Sequence, residues 1–171
     1  MIVIADTSPL NYLILIGEAE VLHRLYGRVV IPQAVLEELR HPNAPAVVAF
    51  WIECRPVWLE VHHAAPVADV SLRGLDLGEC EAILLAQQHR PEALLLIDEE
   101  KGRREAERRQ IRHTGLLGVL SDAATRDLIE LSTALRRLAE TNFRASPRLL
   151  EALLERDARR KRRDASPGSA R

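Results

Sequence analysis

The chain has 171 residues, of which 47% are apolar and only 4% aromatic. That is enough for one domain with a core built from Leu, Val, Ile and Ala, and it excludes a disordered chain. A net charge of −1, from 24 basic and 25 acidic residues, excludes whole-molecule attraction for a polyanion, so any basic surface must be local.

Ile2–Ala5 is a short apolar run without alternation, the pattern of a strand buried on both faces of a parallel sheet. It ends at Asp6, where Thr7 or Ser8 can cap a helix and Pro9 suits its first turn. The helix is expected over Leu10–Ile16, with a second over Glu18–Tyr26, each stopped by a glycine, Gly17 and Gly27. Arg28–Ile31 reads as a strand closed by Pro32, Gln33–Arg40 as a helix, and Ala44–Glu53 as another. Val57–Val61 is a strand or an extended segment, and residues 62–77 carry no clear pattern. Gly78–His89 predicts a helix, Ala93–Ile97 a strand, Glu99–Gln110 a charged helix and Ile111–His113 a short strand.

A turn flanked by Gly115 and Gly118 is expected next, then helices over Val119–Leu131 and Thr133–Glu140. Ser146-Pro147 opens a last helix through about Arg160, with Ser146 as its cap. Residues 1–145 are thus expected as the main domain and 146–163 as a C-terminal helix with a basic end. Residues 164–171 are expected as a disordered tail. Strands alternating with helices predict an α/β fold, a three-layer sandwich with a central, mainly parallel sheet flanked by helices.

Cys54 and Cys80 match no zinc or redox spacing and read as buried free thiols of a reducing compartment. The opening MIVIAD meets an Asp too early for a secretory leader. No apolar run approaches the roughly 20 residues that span a bilayer. A cytoplasmic protein with no membrane role is the expectation.

Open α/β sheets bind ligands at the carboxyl ends of their strands. Asp6 follows one buried run and Asp98 another. At 100° per residue, Glu37 lies roughly 150° from the apolar face of its helix, whereas Glu38 lies near 105° and can border the core. Glu79 shares a stripe with Ala82, Ile83 and Ala86, where an unpaired carboxylate is costly to ionise. Its plainer role is a helix N-terminus residue favoured by the dipole. Glu81, near Gln88, is expected to reach solvent. Four acids without a histidine or cysteine partner make an oxygen-rich site, the donor set of Mg²⁺ or Mn²⁺.

The segments VIADTSPLNYLILIG, VIPQAVLEEL, LDLGECEAILLA, LLLIDEEKGRREAERRQI and TGLLGVL follow one another over about residues 2–130. In that order they resemble the PIN-domain superfamily, in a branch similar to VapC-type toxins. The resemblance implies metal-dependent cleavage of RNA, with the toxin of a type II toxin–antitoxin pair as its setting. It implies Asp6, Glu38, Glu79 and Asp98 as catalytic acids, with Asp6, Glu79 and Asp98 on the metal. Glu79 departs from the Asp found in many relatives. Thr7, Ser8 and Glu99 would support the site. An RNA substrate, an antitoxin protein and a homodimer are the implied partners.

Lys101, Arg104 and Arg108 share one helix face and could hold an RNA backbone, although the interspersed acids also allow ordinary ion pairs. Arg156, Arg159, Arg160, Lys161, Arg162 and Arg163 form a basic run, either a solvated helix end or a phosphate-binding arm. A phosphoacceptor receiver domain would need an acidic pair after the first strand and a late lysine. A two-carboxylate phosphatase would need Asp-x-Asp there, and Asp6-Thr7-Ser8 supplies neither. A PIN-like module that binds nucleic acid or protein with little catalysis is the main alternative, and a Mg²⁺-binding receiver-type signalling domain the lesser one.

Overall fold

A computed structural model describes residues 1–64 and 69–164. Five parallel strands form one sheet: β1 (Ile2–Ala5), β2 (Val29–Pro32), β3 (Leu59–His62), β4 (Ala93–Leu96) and β5 (Arg112–Thr114), in the order β3-β2-β1-β4-β5. Nine α-helices accompany them among the described residues: α1 (Thr7–Leu15), α2 (Val21–Tyr26), α3 (Gln33–Leu39), α4 (Ala46–Glu53), α5 (Leu77–Gln88), α6 (Glu100–Arg108), α7 (Leu116–Thr125), α8 (Leu131–Ala139) and α9 (Pro147–Asp164).

The central strand β1 shows why its sequence is apolar throughout. Strand side chains alternate between faces. Val3 and Ala5 enter a core with the helices α1, α2, α3, α4, α7 and α8, while Ile4 enters a second core with α5 and α6. Helices therefore cover both sheet faces, giving the expected three layers. The strand order reverses at β1 and β4, and such a switch point opens a cleft at the strands' carboxyl ends. Asp6 and Asp98 stand at that end, immediately after β1 and two residues after β4.

Several details differ from the sequence reading. Helix α1 starts at Thr7, three residues early. Asp6 occupies the N-cap position and makes no side-chain cap, so neither Thr7 nor Ser8 caps the helix. Helix α2 starts at Val21, because residues 19–20 form a turn. The patternless stretch holds a 3₁₀ turn over Val70–Leu72, and residues 65–68 lie outside the described residues. Helix α7 starts at Leu116 and contains Gly118. That glycine marks close packing rather than a turn, since a Cβ there would run into the Thr114 hydroxyl. Cys80 is buried as expected, but Cys54 is exposed at the C-terminal end of α4.

Helix α9 packs on α7 and α8 and extends to Asp164, so the first residue of the expected tail is helical; residues 165–171 lie outside the described residues. Ser146 Oγ accepts from the Leu149 N–H, the expected cap. No described helix is long and apolar enough to cross a membrane.

Candidate active site

Asp6, Glu38, Glu79 and Asp98 line one cavity of about 710 Å³ at the switch point, together with Thr7, Ser8, Glu99 and Lys101. Asp6 immediately follows β1 and is 3% exposed. Asp98 follows β4, and its Oδ1 accepts the Leu116 N–H at 2.9 Å, at the N-terminus of α7. A Cβ on the α7 N-cap residue Gly115 would stand 2.5 Å from that Oδ1, so this approach requires glycine.

Glu79 combines both readings of its position. Asp76 and Glu79 form a reciprocal capping box: the Glu79 N–H donates to Asp76 Oδ1 at 2.7 Å, and the Asp76 N–H donates to Glu79 Oε2 at 3.1 Å. The other oxygen, Oε1, is buried and unpartnered. Glu79 is 4% exposed; it and Asp6 are the buried charged residues among those described.

Glu38 is held from two sides. Thr7 Oγ1 donates to its Oε2 at 2.5 Å, and the Gly78 N–H, at the start of α5, donates to its Oε1 at 3.3 Å. Glu81 returns the exchange, because its Oε2 accepts the Ala34 N–H at the start of α3. Each helix thus satisfies an orphan N–H at the other's N-terminus. Glu81 is consequently part-buried rather than directed to solvent.

Burial dominates the electrostatics. It pushes the Asp6 carboxyl up to about 8, against a hydrogen bond from the Thr7 backbone; the charges of Asp76, Glu79 and Glu38 raise it further. Glu79 and Asp98 are also raised, chiefly by desolvation. Asp6 Oδ1, Glu79 Oε1 and Asp98 Oδ2 are all buried without a hydrogen-bond partner. Unpaired buried oxygens of this kind call for a cation or an ordered water.

As they stand, no three described Asp, Glu, His or Cys side chains form a group able to hold a metal ion. The donor set nevertheless fits Mg²⁺ or Mn²⁺. Mg²⁺ keeps several waters and is commonly held by one or two carboxylates plus a substrate phosphate, not by a closed protein cage.

The DUF3368 family model, described as a PIN domain, matches residues 2–159. The chain belongs to this PIN-domain family. No curated protein and no solved structure shows significant similarity to it. PIN domains are in general nucleases and typically use divalent metals, which is the chemistry that an all-oxygen site at this position can serve. The family match runs into α9, so most of that helix belongs to the matched unit.

Other residues of this PIN domain's site escaped the sequence reading. Asp76 was detectable from the Asp-x-x-Glu spacing of a capping box. Asn142, Phe143 and Arg144 also line the cavity, and Tyr12 Oη donates to Asn142 Oδ1 at 2.9 Å across 130 positions. No local signal announces such a contact.

The basic candidates divide. Lys101 lines the acidic cavity and a smaller one beside it, which also takes Arg104 and Arg108. Arg104 is paired with Glu100, while Arg108 is paired with Glu105 and also donates to Ser71. In the C-terminal run, Arg160 binds the Ala124 carbonyl, Asp127 and Asp157, and Lys161 binds Glu130 and Asp157. Those two charges fasten α9 to the end of α7 and the start of α8.

Proposed function

We propose that this PIN domain is a Mg²⁺- or Mn²⁺-dependent endoribonuclease that hydrolyses RNA phosphodiester bonds. The observation that carries the reading is the trio of buried, unpartnered oxygens on Asp6, Glu79 and Asp98, lining one cavity at the sheet's switch point. One or two of these three would hold the cation directly and the others through its waters. When bound, it would supply an activated water and offset the charge that develops on the phosphate.

Glu38 is assigned as acceptor of the attacking water's proton. Its hydrogen bonds from Thr7 and Gly78 fix the carboxylate, and each oxygen keeps accepting capacity. Glu99, at the cavity rim, adds negative charge beside Glu79. Ser8 supplies a hydroxyl to the wall. Lys101 and Arg144 bring the lining's positive charges, suited to the flanking phosphates of a strand crossing the acids. Arg104 and Arg108 extend that path beside Lys101.

The resemblance to VapC-type toxins supports a toxin of a type II toxin–antitoxin pair, acting in the cytoplasm as a homodimer and restrained by an antitoxin protein. An adjacent small reading frame whose product suppresses toxicity on co-expression is the expected sign. A monomeric mass by light scattering at micromolar concentration would count against the dimer.

The full chain should cut single-stranded RNA in Mg²⁺ or Mn²⁺ and stop in EDTA. Asp6→Asn should keep the wild-type circular dichroism spectrum and lose cleavage. Equal activity in the variant, or cleavage indifferent to EDTA, would refute the assignment.

A further inference from the structure

A second cavity, about 570 Å³, is lined in part by Thr7 and Glu38, the pair joined by the hydrogen bond at the acids. Thr7, Asn11 and Glu38 line both cavities, so the two adjoin there. We propose that this second cavity is a nucleobase pocket, which takes a base neighbouring the phosphate at the acids and prefers one with an exocyclic amino group. The inference rests on the ribonuclease reading.

Three observations favour a base. First, the pocket is largely apolar, with Ala34 and Leu39 buried beneath it and Leu77 left 55% exposed. An apolar recess of this kind suits a base splayed out of a single strand. Second, the Asn11 and Asn43 side chains make no hydrogen bond among the described residues. Each amide carries a donor and an acceptor, the pairing that reads a base edge. His41 adds a ring whose Nδ1 accepts from the Asn43 backbone, which leaves its N–H on Nε2. Third, the lining's carboxylates are Glu37 and Glu38, with no lysine or arginine beside them. That charge disfavours a phosphate or an acidic peptide and favours a neutral ring bearing N–H donors. Adenine, cytosine and guanine offer an exocyclic amino group with two N–H donors, whereas uracil offers the single ring N3–H.

The test uses the full-length Asp6→Asn chain, ¹⁵N-labelled and titrated with the four homotrinucleotides. Oligoadenylate, oligocytidylate or oligoguanylate should shift the Asn43 side-chain and Leu77 signals, binding about tenfold more tightly than oligouridylate, the discrimination of one good base contact. In parallel, the wild-type chain cuts a randomised RNA whose ends are sequenced. Uridine should be depleted at one position beside the cut, and Asn43→Ala and Leu77→Ser, both at exposed positions, should flatten that depletion. Silent pocket signals with all four trinucleotides, or a cutting preference unchanged in both variants, overturns the inference. Cutting without preference and with a silent pocket leaves the ribonuclease reading intact. Shifted pocket signals with no cutting in either metal defeat that reading instead and leave the base pocket standing.

Discussion

Thr7 Oγ1 donates to Glu38 Oε2 at 2.5 Å, joining the first turn of α1 to α3 across 31 positions. The bond fixes a carboxylate that lines both the acidic cavity and the apolar one. A hydrogen bond to a charged group contributes on the order of 1.5–3 kcal/mol. Thr7→Val should therefore lower kcat about tenfold or more with the fold intact, and Thr7→Ser should restore most of it. Equal rates in the Val and Ser variants would show that the hydroxyl positions nothing.

The Asp6 carboxyl titrates near 8 in the folded chain, against an ordinary value of 3.8. Between those values the folded state keeps a proton that the unfolded state has released. Stability is then fully present below about pH 4 and falls as pH rises toward 8. In EDTA, the melting temperature should drop between pH 5 and pH 8. Asp6→Asn should remove most of that drop and melt several degrees higher at pH 8, while Mg²⁺ should raise the wild type there more than at pH 5. A melting temperature flat with pH in EDTA would contradict the buried acid.

Glu79 should separate into two roles by substitution. Gln can still receive the Asp76 N–H, so Glu79→Gln should keep the melting temperature within about 2 °C and yet cut at least roughly a hundredfold more slowly. Glu79→Ala also breaks the capping box, which is worth about 1 kcal/mol or 2–4 °C in a chain of this length. Thermal melts beside cleavage rates measure both, and full activity in the Gln variant would remove Glu79 from the chemistry.

Arg160 and Lys161 hold α9 in place, so truncation before Arg159 should lower the melting temperature before it does anything else. Arg160→Ala alone should do the same in part, through the lost bonds to Ala124, Asp127 and Asp157. Affinity for RNA and its salt dependence should change little in Arg160→Ala at temperatures where the variant is folded. A flattened salt slope with an unchanged melting temperature would instead identify a phosphate-binding arm.

The sequence by itself determined the layers and where the chemistry could sit. Runs such as Ile2–Ala5 and Ala93–Leu96 are apolar because both sheet faces are covered, and Asp6 and Asp98 follow them where a parallel sheet must end. Glu79 was legible from a helical stripe, and Asp76 lay within reach of the same local reasoning. Local periodicity carries such features because neighbours along the chain fix which face a side chain takes. Tertiary structure alone decided the rest. Glu81 turned from solvent to the N-terminus of α3, Gly118 from a turn into a packed helix, and two charges of the basic run into fasteners for α9. Asn142 and Arg144 came to line the acids' cavity, and the apolar cavity opened beside Glu38. Each of these depends on groups distant in the chain, brought together by packing that no local pattern encodes.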